Sequence, residues 1–204
     1  MKTIPPVKKE VTTTQLGYMG LSIGSIVLSF INFGIADNTV SKVQWLLFYP
    51  GIILLISAIH NIKQKSIWEI SSFFLFALFW FSLATAWTSG FWDYSKTIEG
   101  PKMRIISAFF VVGLVHLSFI TLFALQTNKV VFFLFFSFSL AFFFFILKIV
   151  YGASGVLAGC PFFMAALLSF YVWLAKTLNN FVGREVLPMG DPIYDWTKFH
   201  FKID

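Results

Sequence analysis

Charge is scarce in this chain. Only 12% of its 204 residues are Asp, Glu, Lys or Arg, about half the roughly 25% usual in soluble domains. Cysteine is nearly absent too. Cys160 is the only one, which excludes an internal disulfide and a cysteine-built metal site within one chain. It lies in an apolar run and reads as a small buried thiol. The first 15 residues hold Pro5, Pro6 and the run Thr12, Thr13, Thr14. They lack the short apolar core of a signal peptide, so no cleavage is expected. There is no HExxH, no GxxxxGK[ST] and no Cys/His cluster at metal-ligand spacing. His60, His116 and His200 stand far apart in sequence. An enzyme has no residue pattern to rest on, and neither a cofactor nor a metal is expected.

What the chain does have is apolar length. Six hydrophobic stretches, residues 16–35, 43–61, 67–91, 103–125, 130–151 and 155–176, fill most of it. A hydrocarbon core about 30 Å thick is crossed by about 20 apolar residues in a helix rising 1.5 Å each. Six such helices in succession would leave no polar face for water. The fold class is therefore all-α, a polytopic membrane protein built as a six-transmembrane-helix bundle. A polar N-terminal segment (1–15) precedes the transmembrane domain (16–176), and a tail (177–204) follows it. The longest connector, 93–102, carries the turn signal Gly100-Pro101 and divides the helices three and three. Three helices per half is the parity of 3+3 inverted halves, although no residue-level similarity relates the two.

The formal net charge is +6, which by itself would suit a nucleic-acid partner. Its distribution argues for topology instead, and no nucleic acid is expected. Placed on alternate sides, one side collects ten basic residues: Lys2, Lys8, Lys9, Lys63, Lys65, Lys129, Lys176, Arg184, Lys198 and Lys202. The other collects four: Lys42, Lys96, Lys102 and Arg104. Cytoplasmic loops carry the basic excess, so both termini are expected in the cytoplasm. A plasma or inner membrane is the expected location, with an organelle membrane as the alternative.

Several apolar segments carry features of their own. In the first, Gly17, Gly20 and Gly24 share one side, and Gly20 and Gly24 have the small-xxx-small spacing of close helix packing. Ser22, Ser25, Ser29 and Asn32 follow at spacings of 3, 4 and 3, a polar stripe that either bonds neighbouring helices or lines a passage. Trp45 and Tyr49, then Trp87, Phe91 and Trp92, suit the membrane interface. Pro50-Gly51 marks a kink or a broken first turn. His116 sits near the centre of the fourth segment, where it either relays a proton or bonds across to a neighbouring helix. Lys148, near the end of the fifth, either attracts a carboxylate into a vestibule or snorkels to the headgroups; snorkelling is the expectation.

The segment Leu178-Asn179-Asn180-Phe181-Val182-Gly183-Arg184-Glu185-Val186-Leu187-Pro188-Met189-Gly190-Asp191 resembles the C-terminal signature of the acetate uptake transporter family. Leu16-Gly17-Tyr18-Met19-Gly20-Leu21 is similar to that family's opening motif. Leu28 to Asn32, Phe48-Tyr49-Pro50-Gly51 and Phe79-Trp80-Phe81-Ser82 resemble internal ones. The resemblance implies transport of acetate, succinate or a related small carboxylate through a pathway in each protomer of a hexamer in the lipid bilayer. It places an apolar constriction at Leu21, Phe76 and Phe138, with Ser29 and Asn32 as retained polar groups; His116, from its depth in the fourth segment, is a further polar candidate for the pathway.

The chain also departs from the pattern. Thr12-Thr13-Thr14-Gln15 replaces an NPAP, Leu54 a glutamine, Trp68-Glu69 an FG, and the neighbourhood of Lys148-Ile149 an asparagine. These losses remove polar groups and define the alternative, a transport-inactive accessory or structural subunit with the same fold. The tail from Pro192 to Asp204, with Tyr194, Trp196, Phe199 and Phe201, either docks a protein partner or lies at the membrane interface.

The charge asymmetry generates a test of topology. In a Cys160→Ser background, single cysteines at Lys9 and Lys198 are expected to react with an impermeant maleimide from the same, cytoplasmic side. Labelling from opposite sides would overturn the even number of crossings.

Overall fold

Hydrophobic length becomes helix wherever capping chemistry lets it start and stop. The computed structural model describes residues 13–35, 46–64, 67–88 and 101–194, with the side chains of 64, 86–88 and 101–109 also outside that description. Several expectations therefore lie outside the described residues: those on the N-terminal lysines, on Trp45, Trp87, Phe91 and Trp92, on the long connector, and on the tail with Trp196, Phe199, Phe201 and His200. Among the described residues the chain forms six helices: α1 (Thr14–Asn32), α2 (Phe48–Gln64), α3 (Ile67–Thr88), α4 (Pro101–Ala124), α5 (Lys129–Tyr151) and α6 (Gly155–Val182). Four of them are long and apolar enough to cross a membrane, and Phe48–Lys63 and Phe110–Ala124 are shorter apolar stretches.

The boundaries follow from local chemistry. Pro50 stands in the first turn of α2, where its missing N–H would have no helical partner anyway. Asn128 caps α5, its side-chain oxygen accepting the Val131 N–H at 3.0 Å. Gly152, at φ +67°, ends that helix, and the Ser154 hydroxyl accepts from Val156 to start α6. Gly183, at φ +74°, closes α6. A left-handed residue is the usual way to stop a helix, and glycine adopts it without steric cost.

Each helix packs on its neighbour in sequence and α6 packs back on α1, closing a ring. The α1–α6 contact is the most extensive, and α3 against α4 is the sparsest seam. Aromatic side chains fill the middle. On α5, Phe135, Phe138, Phe142 and Phe145 are buried, whereas Phe133, Phe136 and Phe143 are exposed. The buried set recurs at spacings of 3, 4 and 3, which keeps it on one helical face. Cys160 is exposed, contrary to the expected buried thiol. It falls on the outward side of α6, between the buried Gly159 and Phe162.

The glycines of α1 lie at close contacts, but what approaches them is side chain rather than backbone. A Cβ on Gly17 would meet the Phe73 ring at 2.5 Å, and one on Gly24 the Trp80 ring at 2.5 Å. A Cβ on Gly20 would stand 3.1 Å from Ile53 and 3.2 Å from Leu54 of α2. Leucine at Gly20 or Gly24 is expected to destabilise the bundle by about 1–3 kcal/mol, as overpacking does elsewhere. Thermal unfolding in mild detergent should show the loss; an unchanged midpoint for Gly24→Leu would contradict the contact.

Candidate functional site

The interior changes character along its length, with polar groups at both ends and rings between. Phe76 and Phe138 are fully buried and their ring centroids lie 4.4 Å apart. Leu21 is fully buried in the same core cluster. Phe135 and Phe142 pack on Phe76 from either side, and Phe162 of α6 closes on Phe138. The three residues assigned to a constriction thus share one apolar interior, and two of them touch.

Toward the start of α1 lies a polar cluster from four helices. The Thr14 hydroxyl donates to Asn61 Oδ1 at 2.8 Å and approaches Glu69 Oε2 at 3.3 Å. Glu69 Oε1 accepts from the Lys176 ammonium at 3.1 Å, forming an ion pair that is mostly shielded from solvent. The same ammonium sits 4.8 Å from the centre of the Tyr18 ring, a favourable cation–π geometry. Gln15 donates to the Lys176 carbonyl, and Ser57 to that of Thr13. The amino end of α1 and the carboxyl part of α6 therefore lie at the same end of the bundle.

At the opposite end the Lys148 ammonium donates to Asn32 Oδ1 at 2.7 Å, while Asn32 Nδ2 donates to the Leu28 carbonyl. Lys148 is half-buried and turned inward rather than snorkelling outward. The separation between the two polar ends is set by α1, whose 18 steps from Thr14 to Asn32 span roughly 27 Å, close to a hydrocarbon thickness.

The polar stripe of α1 divides by role. Ser22 bonds the Ala166 carbonyl of α6 and Ser25 the Leu21 carbonyl of its own helix. Ser29 Oγ is fully buried and has no hydrogen-bond partner in the protein, and Tyr18 OH, Asn61 Nδ2, Trp80 Nε1 and Ser169 Oγ share that condition among the described residues. His116 stands apart from all of these. It is exposed, its Nδ1 lies 3.1 Å from the Val112 carbonyl of its own helix, and it faces the α3–α4 seam. There it borders a 370 Å³ crevice with Trp68, Ser71 and Phe119 and a smaller one of 130 Å³ that reaches Phe76. Among the described residues no His, Cys, Asp or Glu cluster could hold a metal ion.

Sequence reasoning missed the Thr14–Asn61–Glu69–Lys176 cluster. Its only signal was the departure at Trp68-Glu69, read as a loss. The C-terminal signature proves to be a strap. Asn179 Oδ1 accepts from the N–H groups of Val186 and Leu187, and its amide donates to the Leu187 carbonyl. Tyr171 OH donates to the Pro188 carbonyl. The Met189 carbonyl accepts from Val130 N, while Ile193 and Tyr194 N–H groups reach the Leu125 carbonyl. The chain after α6 is thereby tied across the α4–α5 corner.

Comparison with known proteins agrees with this architecture. A model of the GPR1/FUN34/yaaH family matches residues 2–190, and the chain belongs to that family, the acetate uptake transporter family of its terminal motifs. Among solved structures it is similar to one titled "Structure of the bacterial acetate channel SatP", with a TM-score of 0.78 at 21% identity, covering 88% of this chain and 99% of that one. That likeness shows a shared fold. No curated protein matches the sequence. The chain is an integral membrane protein of a transport family and not an enzyme.

The strap makes its own prediction. Asn179→Ala removes three hydrogen bonds at about 0.5–1.5 kcal/mol each. Trypsin cleavage after Arg184 is therefore expected to accelerate about tenfold or more, since proteolysis follows local opening. An unchanged rate would mean that the signature is held by other contacts.

Proposed function

We propose that this chain conducts acetate or a related small monocarboxylate across a membrane, through a pathway inside each protomer that narrows at Leu21, Phe76 and Phe138. The observation that carries the reading is the succession of a polar end, an aromatic neck and a second polar end along one helical ring. Six polar side chains among the described residues, Thr13, Tyr18, Ser29, Asn61, Trp80 and Ser169, have buried atoms without a partner in the protein. Each such group costs about 1–3 kcal/mol unless water or a solute satisfies it. A pathway that a hydrated anion enters from either end gives those groups partners. The likeness to a bacterial acetate channel supports the substrate class.

In this reading all six helices cross the bilayer, with 3+3 halves of opposite orientation and both termini in the cytoplasm. Protomers assemble as a hexamer, and the membrane is a plasma or inner membrane. Ser29 and Asn32 offer neutral donors near one end of the neck. His116, outside the ring, is given no part in conduction. The accessory-subunit alternative gains nothing from the departures, because Glu69 and Lys148 restore polar groups at both ends.

Uptake of labelled acetate by purified protein in liposomes tests the proposal. Phe138→Ala replaces a ring by a methyl group at a dewetted constriction. It is expected to raise the rate for butyrate relative to acetate several-fold, whereas Asn32→Leu lowers acetate flux in a protein that still folds. Absence of uptake in both the unaltered protein and Phe138→Ala would reject transport.

A further inference from the structure

Two lysines enter the bundle, and they are not equivalent. Lys176 is matched by Glu69 at 3.1 Å, the one ion pair among the described residues. Lys148, half-buried at the other end, donates to the neutral amide of Asn32 at 2.7 Å, and no carboxylate among the described residues pairs with it. A cation shielded from water and bonded to a neutral group keeps a positive potential, offset only by the Phe145 ring, whose centre lies 5.9 Å away. An ammonium also has three donors, and the Asn32 contact uses one of them.

The surroundings reinforce that potential. Gly155, the first residue of α6, packs against both partners: a Cβ there would stand 2.5 Å from the Asn32 carbonyl oxygen and 3.3 Å from Lys148 Nζ. Only glycine fits there, because the Asn32 carbonyl and the lysine already fill the space a side chain would take. The amino end of a helix carries partial positive charge, here with the Val156 and Leu157 N–H groups already bonded to Ser154. A second, independent observation points the same way: Ser29, three residues before Asn32 and on the same face of α1, has a fully buried hydroxyl without a protein partner.

We propose that Lys148, Asn32, Ser29 and the amino end of α6 form an anion-binding station for a small carboxylate at the end of the bundle opposite the start of α1. The proposal rests on the transport reading above and assigns that pathway a charged entry. The ammonium supplies the charge, the Ser29 hydroxyl a neutral donor, and the end of α6 its partial positive charge. At the other end Glu69 already neutralises Lys176, so binding is one-sided.

The test measures acetate binding and acetate flux separately. Binding is followed by saturation-transfer NMR with acetate on the detergent-solubilised protein, and flux by liposome uptake over a range of acetate concentrations. A charge-assisted hydrogen bond is worth about 1.5–3 kcal/mol, so K148M and K148Q are each expected to weaken acetate binding and raise the half-saturation concentration about tenfold or more. K148R should stay close to the unaltered protein. In the unaltered protein, half-saturation should rise steeply with potassium chloride, and this dependence requires no variant to fold. Unchanged affinity and half-saturation in folded K148M or K148Q, or no salt dependence in the unaltered protein, would overturn the station. Lys148-dependent binding without any uptake would leave the station standing and reject transport instead.

Discussion

Gly17 and Gly24 open two gaps on α1, and Phe73 and Trp80 of α3 drop their rings into them. Both pairs are seven residues apart, two helical turns, so the rings and the gaps stay in register along the two helices. This contact fixes how closely α3 lies to α1, and the neck follows from it. Leu21 falls between the two glycines, and Phe76 between the two rings. Residues three and four apart share a helix face, so Leu21 and Phe76 are carried toward the middle of the ring together. Phe138 then meets Phe76 from α5, with Phe135 and Phe142 on either side. Filling the gaps with any larger side chain would displace the rings and the neck with them.

The succession of helices was legible because hydropathy along this chain is nearly unbroken. Helix ends were less so, and for a definite reason: apolar character stops where polar residues begin, whereas a helix stops where something caps it. The sixth apolar run ends at 176, but α6 continues through polar Thr177, Asn179 and Asn180 until Gly183 turns left-handed. Within the second run, Pro50 falls in the first turn of α2, which no hydropathy pattern marks. Which way a side chain faces was harder still. Phe133 and Phe135 are indistinguishable by composition, and only the packing of α5 between α4 and α6 sends one outward and the other in. Cys160 belongs to the same class.

The polar ends were the least legible part. Lys148 and Asn32 are 116 residues apart, and Lys176 and Glu69 are 107 apart. No spacing rule reaches that far. Read one at a time, a lysine near a helix end snorkels and a glutamate in place of a glycine is a loss. Read as pairs, the substitutions compensate. Glu69 meets Thr14 and Lys176, Gln15 joins α1 to α6, and Lys148, in the neighbourhood where the family pattern has an asparagine, holds Asn32. The departures that argued for an inert relative therefore rebuild both ends with different chemistry.

A cation near an apolar neck raises the question of which one governs passage. Lys148 lies ten residues beyond Phe138 on α5, roughly 15 Å along the axis. At an effective dielectric constant of about 20, a unit charge that far away lowers an anion's energy by about 1 kcal/mol. Dehydrating a carboxylate costs far more than that, so the lysine can concentrate the anion at the entry but cannot carry it through. In the proposed pathway the barrier belongs to the rings. With the Phe76 and Phe138 centroids 4.4 Å apart, nothing passes between them until a ring turns aside. In the proposed pathway, conduction therefore divides between an electrostatic step, which sets how often an anion waits at the entry, and a packing step at the neck, which sets how often it crosses.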